Sequence, residues 1–212
     1  MRAHFVTELQ AVRQNLVEMG ETTIALFKEA LAAVGDPSPE PLPRASELEA
    51  RTDHQHRLIH DQCLRLITLQ APVAGDARLL TGILDAIVDL ELIGDYAYEI
   101  AALAASLDRK PPSQISSQLR DAGVKVGDVL STAIDSWRSR DRNHALSARP
   151  REEPIRAECE SLYSKLSQLL ASKEGSAAYV DLMLVCKHLQ RILRHAVCVA
   201  DQAADAAPLT QA

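Results

Sequence analysis

Aromatic residues are nearly missing from this 212-residue sequence: Trp137, four tyrosines and two phenylalanines make up 3% of it. That scarcity excludes a β-sandwich and a base-stacking surface for single-stranded nucleic acid, both of which lean on aromatic side chains. Glycine is scarce as well, at 8 residues. Positive charge is in deficit, with 23 Lys and Arg against 29 Asp and Glu, a net charge of −6 and a pI near 5.6. Adhesion to nucleic acid or to anionic lipid needs the opposite balance. The four cysteines, Cys63, Cys159, Cys186 and Cys198, show no CxxC spacing, so neither a zinc knuckle nor a disulfide framework is expected. No apolar run approaches the ~20 residues that span a bilayer, and no apolar leader core follows Met1-Arg-Ala-His. A soluble, cytoplasmic protein is expected. Hydrophobic residues are plentiful, at 47%, and the alanine- and leucine-rich composition is that of a helical protein with a sizeable core.

Proline clusters divide the chain at Gly35–Pro43, Asp108–Ser113 and Arg149–Pro154, with shorter breaks at Ala71–Gly75 and Lys173–Gly175. Between them the apolar residues recur every three or four positions. Phe5, Leu9, Val12, Leu16, Met19, Thr23, Leu26 and Ala30 form one such stripe. Leu79, Ile83, Ala86, Leu90, Ile93, Ala97, Ile100 and Ala104 form a second, and the run from Leu182 to Ala203 a third. These seams suit long antiparallel helices packed at shallow angles. Six helices are predicted, at 3–34, 44–70, 76–107, 114–140, 152–172 and 176–205, the first about 48 Å long. The midpoint break predicts two three-helix units, residues 1–108 and 114–206. Weak internal similarity supports them, because the segment from Asp89 aligns with that from Leu189 and sets Glu91 opposite Gln190 and Asp95 opposite Arg194.

Residues four apart on a helix share a face. Glu49 and Asp53 form one such acidic pair, Glu91 and Asp95 another. The second and third predicted helices are joined by a short turn and must run antiparallel. Both pairs stand roughly 20 residues from that turn, so all four carboxylates are expected at one level, where their repulsion needs compensation. Four oxygen donors at one level suit a hard cation: iron, manganese, magnesium or zinc. His56 and His60 continue the stripe, and Glu99 extends the other side, as possible additional ligands. The competing reading is a solvated acidic face, and a metal-free helical adaptor that docks this face on a basic partner stays open. Catalysis has little support. No Glu-x-x-His pair, Gly-rich phosphate loop or GxSxG occurs, and the acidic pairs lie beside the apolar seam rather than on it. Asp76 is expected to complement the dipole of the third helix, Trp137 to pack near the end of the fourth, and Arg138–Arg142 to be a solvated helix end. Cys63, Cys186 and Cys198 are expected to be reduced and buried.

The segments Phe5-Val-Thr-Glu-Leu9, Met19-Gly20, Cys63–Ile67, Leu69-Gln-Ala-Pro-Val-Ala-Gly-Asp-Ala-Arg78 and Asp89-Leu-Glu-Leu-Ile-Gly-Asp95 resemble the PhoU family of phosphate-signalling proteins. The resemblance covers nearly all of the first half; the second half matches in pattern and length. It implies an all-α fold of two three-helix bundles related by pseudo-twofold symmetry. It implies a surface metal cluster, usually of iron or zinc, with Glu49, Asp53, Glu91 and Asp95 as the matching ligands. It also implies a non-enzymatic repressor of the phosphate-starvation response that links a phosphate ABC-transporter ATPase to a sensor histidine kinase. Asp76 and Arg78 are then partner-binding candidates, a homodimer is expected, and membrane contact is expected through partners only.

The second repeat departs from this pattern. Glu152 and Arg156 stand at its first pair and Gln190 and Arg194 at its other, a net charge of +1 that repels a cation. Glu152 and Arg156 are expected to pair instead, worth ~0.3–0.5 kcal/mol. Built-in arginine charge would then replace the second metal, leaving one cluster per chain.

Overall fold

The computed structural model describes residues 2–35, 41–72, 74–107, 111–172 and 176–208. Among them every regular element is a helix: α1 (Arg2–Gly35), α2 (Pro41–Gln70), α3 (Gly75–Ala105), α4 (Ser113–Ser139), α5 (Arg142–Leu146), α6 (Arg149–Leu170) and α7 (Ala178–Ala206). The breaks predicted around 36–40, 108–110 and 173–175 lie outside the described residues.

Two features differ from the sequence reading. The five-residue α5 was not predicted; it exists because the Asp141 carboxylate accepts hydrogen bonds from the amides of Asn143 and His144, satisfying two orphan donors. The prolines of Arg149–Pro154 do not interrupt a helix, since α6 begins at Arg149 and runs through Pro154. Pro150 stands in the first turn, where no N–H is required, and Pro154 forgoes a single bond. Pro41 and Pro43 open α2 in the same way.

The predicted seams face inward. Leu9, Val12, Leu16, Met19, Leu26 and Ala30 of α1 are buried, as are Ile83 to Ala104 of the α3 stripe and Leu182 to Ala203 of the α7 stripe. Helices α1, α2 and α3 pack on one another, and α4, α6 and α7 do likewise. The two bundles share one continuous core, joined by α3 on α7, the most extensively packed pair, and by α1 on α4. Trp137, 2% exposed, donates its indole N–H to the Val199 carbonyl at 3.1 Å and locks α4 to α7. No helix among the described residues is long and apolar enough to cross a membrane.

Equivalent helices therefore meet at the junction, as a pseudo-twofold axis requires. The α1–α4 contact displays that symmetry in its side chains. Gly20 receives Ile134, and Gly123 receives Leu31, each glycine being the only residue small enough for the branched side chain above it. A Cβ at Gly20 would lie 2.2 Å from Ile134 Cδ1, and Ile134 is 1% exposed with nowhere to retreat. Gly20→Ala is therefore expected to destabilise the fold by ~1–3 kcal/mol. Gly127→Ala, whose Cβ would sit 3.5 Å from Phe27 Cε1 in ordinary contact, is expected to stabilise it by ~0.5–1 kcal/mol through helix propensity. Urea unfolding midpoints that move in the same direction for both would contradict this packing.

Candidate functional site

Helices α2 and α3 run antiparallel and close together. Gly94 of α3 packs against the buried Thr52 of α2; a Cβ there would meet Thr52 Cγ2 at 3.4 Å, an ordinary contact. Thr52 adapts to this apolar contact by donating its hydroxyl to the Leu48 carbonyl at 3.0 Å. Its chain neighbour Asp53 is thereby set beside Asp95, the neighbour of Gly94. Glu49, one turn before Asp53, joins them, and one oxygen from each of the three carboxylates lies within 4.8 Å of the others.

Charge crowding marks the cluster. The Glu49 carboxyl is held above its ordinary range by partial burial, then by Asp53 and Asp95. Asp95 is raised by burial first, then by Glu91, Asp53 and Glu99. Among the described residues no lysine or arginine pairs with Glu49, Asp53 or Asp95 within 4.0 Å. Three mutually repelling carboxylates at bridging distance, with no cation from the protein, fit a hard metal ion in donor type and charge.

Glu91 stands one turn from Asp95 and outside the cluster of three, with its carboxylate 3.5 Å from His56 Nδ1. His56 thus faces Glu91, not the three carboxylates. His60 is exposed, 3.5 Å from Asp61, its ring centroid 6.4 Å from that of His56. Glu99 is exposed and near enough to Asp95 to raise it. Asp76, in the first turn of α3, and the exposed Arg78 lie at the α2–α3 turn, about 28 Å along the helix from Asp95.

In the second repeat the arginines are satisfied by acids, though not in the expected pairing. Glu152 does not pair with Arg156; it faces Arg194 of α7 at 3.5 Å. Arg156 is held on its own helix by Glu153 at 2.7 Å and Glu160 at 2.8 Å, which flank it three residues before and four after. Gln190 donates to the Arg156 carbonyl at 3.3 Å and accepts from Lys187 at 3.2 Å. The second repeat thus carries arginine charge, Arg194 against Glu152, where the first has carboxylates alone. Elemental analysis is therefore expected to find one metal site per chain; full occupancy in both repeats would refute the substitution.

All four cysteines are free, Cys63, Cys159 and Cys186 buried and Cys198 half-buried, and burial pushes the Cys63 thiol up to about 12. The Arg138–Arg142 run is not simply solvated: Arg138 pairs with Asp135 and, at 2.7 Å, with Glu21 of α1, while Arg142 donates to the Ala204 carbonyl at 2.5 Å. The sequence reading missed a polar knot at the α3–α7 junction. Asp89 accepts from His195 and from Gln202, both at 2.7 Å, and Tyr96 packs between the rings of His188 and His195. The only signal was the placement of Asp89 on a different face from Glu91 and Asp95.

A family model described as PhoU domain matches residues 16–104 and, again, residues 119–203. The chain is similar to a phosphate-specific transport system accessory protein PhoU homolog of Synechocystis sp., 28% identical over 205 residues that cover 95% of this chain and 90% of that one. The crystal structure of PhoU from Pseudomonas aeruginosa superposes with a TM-score of 0.88 at 25% identity, covering 94% of this chain and 96% of that one. The phosphate transport system regulatory protein PhoU from Streptococcus pneumoniae shares the fold, with a TM-score of 0.86 at 20% identity and 94% of each chain covered.

Proposed function

The chain belongs to the PhoU family, and from that premise we propose that it is a non-enzymatic accessory protein of a phosphate-specific transport system. In this reading it works in the cytoplasm, as a homodimer, between the transporter's ATPase and a sensor histidine kinase, and restrains uptake and the starvation response when phosphate is plentiful. The observation that carries the reading is the doubled family match, which falls once on each bundle and leaves no further domain among the matched residues. The names of the relatives at 28% and 25% identity agree with it.

The carboxylate cluster is proposed as a structural and regulatory metal site, with Glu49, Asp53 and Asp95 as ligands and Glu91 completing the set by releasing His56. The family resemblance points to iron or zinc, and manganese or magnesium would meet the same oxygen donors. A bound cation supplies positive charge that offsets the repulsion among these acids. Ligands drawn from both helices would tie α2 to α3 when a cation is bound, so the site would report on the face the two helices present. The turn bearing Asp76 and Arg78 is proposed as the partner-facing end.

Affinity capture from cells on the full-length chain tests the reading. Recovery of both the transporter ATPase and the sensor kinase, lost for one or both with Arg78→Glu, is expected. Recovery of neither would overturn it. Capture that persists with chelator but is lost when Glu49, Asp53 and Asp95 are exchanged for amides would instead favour the metal-free adaptor.

A further inference from the structure

At the far end of the molecule from the carboxylate cluster, the first turns of α1 and α3 meet the last turns of α4 and α7 around a cavity of about 440 Å³. Three guanidinium-bearing residues line it, Arg13, Arg78 and Arg140, against one acid, Asp76. That is a local charge of +2 in a chain whose net charge is −6.

These arginines are not used up by the fold. Arg138 and Arg142 pair with Glu21 and Asp205 respectively, whereas Arg140 between them has no acid within 4.0 Å among the described residues, and Arg78 has none either. Arg140 occupies the left-handed C-cap of α4, φ 59°, where glycine is the low-strain residue. Nothing in the packing of α4 asks for an arginine there. Arg13 spends Nη1 on the carbonyls of Trp137 and Arg138, at 2.9 and 3.1 Å. Those bonds fix its plane and leave its other N–H groups for a ligand. Burial, and then the like charge of Arg140, depress the Arg13 guanidinium, so the two cations stand near enough to repel each other. The cavity also borders the start of α3, where Ala74 offers no capping oxygen to the first amides.

We infer that this cavity is a binding site for a phosphoryl dianion, held by Arg13, Arg78 and Arg140. The charge of hydrogen phosphate, −2, balances the local excess, and guanidiniums are the side chains whose forked donors match tetrahedral oxyanions. Free inorganic phosphate and the terminal phosphoryl group of an organic ester share this chemistry. The inference shares Arg78 with the proposed partner-facing turn, but probe and readout involve this chain alone, so its failure and that of the regulatory reading are distinguishable.

Calorimetric titration of the full-length protein at low ionic strength, with inorganic phosphate in one arm and adenosine 5′-monophosphate in the other, tests it. Saturable one-to-one binding is expected in at least one arm. Tighter binding of phosphate assigns the free ion, and tighter binding of the nucleotide assigns an ester. Arg78→Ala and Arg140→Gly are each expected to weaken that binding about tenfold or more. Arg140→Gly keeps the left-handed cap and should leave the unfolding midpoint unchanged or higher, which separates lost binding from lost structure. No saturable binding in either arm, or wild-type affinity in Arg140→Gly, would overturn the inference.

Discussion

Exchanging Asp53 and Asp95 together for asparagine is expected to abolish metal binding and, at the same time, to make the metal-free protein more stable at neutral pH. The two effects have one cause. Each aspartate is placed among like charges, and Glu49 and Asp95 are both held above their ordinary carboxylate range. A group whose folded pKa is raised binds more protons folded than unfolded. Its contribution is fully present below the unfolded pKa, near 4, and is lost as pH rises through the folded value. The metal-free wild type should therefore lose stability as pH climbs out of the acidic range, and the double variant should lose much less. Metal reverses the ranking. At a free concentration one hundred times its dissociation constant, a cation stabilises the fold by about 2.7 kcal/mol, roughly 5–10 °C in Tm for a chain of this size. Melting curves with chelator and with added zinc or iron, for both proteins, give four numbers that must cross. A double variant that still gains several degrees on metal addition would remove the site.

How much of this site was legible from sequence depends on which residues define it. The pairing of Asp53 with Asp95 was legible because only geometry along the helix is involved: a short turn makes α2 and α3 antiparallel, and equal distances from the turn bring the two residues level. The place of Glu91 was not. A residue one turn from Asp95 shares its face, but whether its carboxylate reaches across to Glu49 or folds onto His56 is decided by side-chain rotamers. The apolar seams of α1, α3 and α7 were readable from their spacing alone, as were the helices they define. The short α5 was overlooked because a single capping aspartate, with no apolar stripe behind it, gives no periodicity to detect. The arginine-lined cavity was beyond reach for a different reason. Arg13, Arg78 and Arg140 come from three helices, and only the tertiary contact of α1 with α4 brings Arg13 to Arg140. The exchange of Glu152 from Arg156 to Arg194 follows the same rule: a local pair of a few tenths of a kcal/mol gives way to whichever cation the neighbouring helix supplies.

The knot at the pseudo-twofold junction carries the second large prediction. Asp89 is 15% exposed at its side chain and accepts two hydrogen bonds from α7, one from His195 and one from Gln202. Both donors are half-buried, and Asp89 is the acceptor that each meets across the α3–α7 contact. Asp89→Ala leaves both unsatisfied at the most extensive helix contact in the molecule and is expected to cost about 2–3 kcal/mol, or roughly 5–10 °C in Tm. Asp89→Asn should cost less, because the amide oxygen can still accept from one of the two donors. An adjacent histidine gives the junction a pH limit of its own. His188 is buried beside Tyr96, and burial holds its ring neutral below the usual histidine range. The unfolded chain takes up the proton that the folded ring refuses, so this contribution is present above about pH 6.5 and lost as pH falls below it. His188→Gln should flatten that acid-side loss without touching the rise and fall set by Glu49 and Asp95. If Asp89→Ala melts with wild type, the two bundles are held by their shared apolar core and the α1–α4 polar contacts, and the knot at Asp89 is incidental.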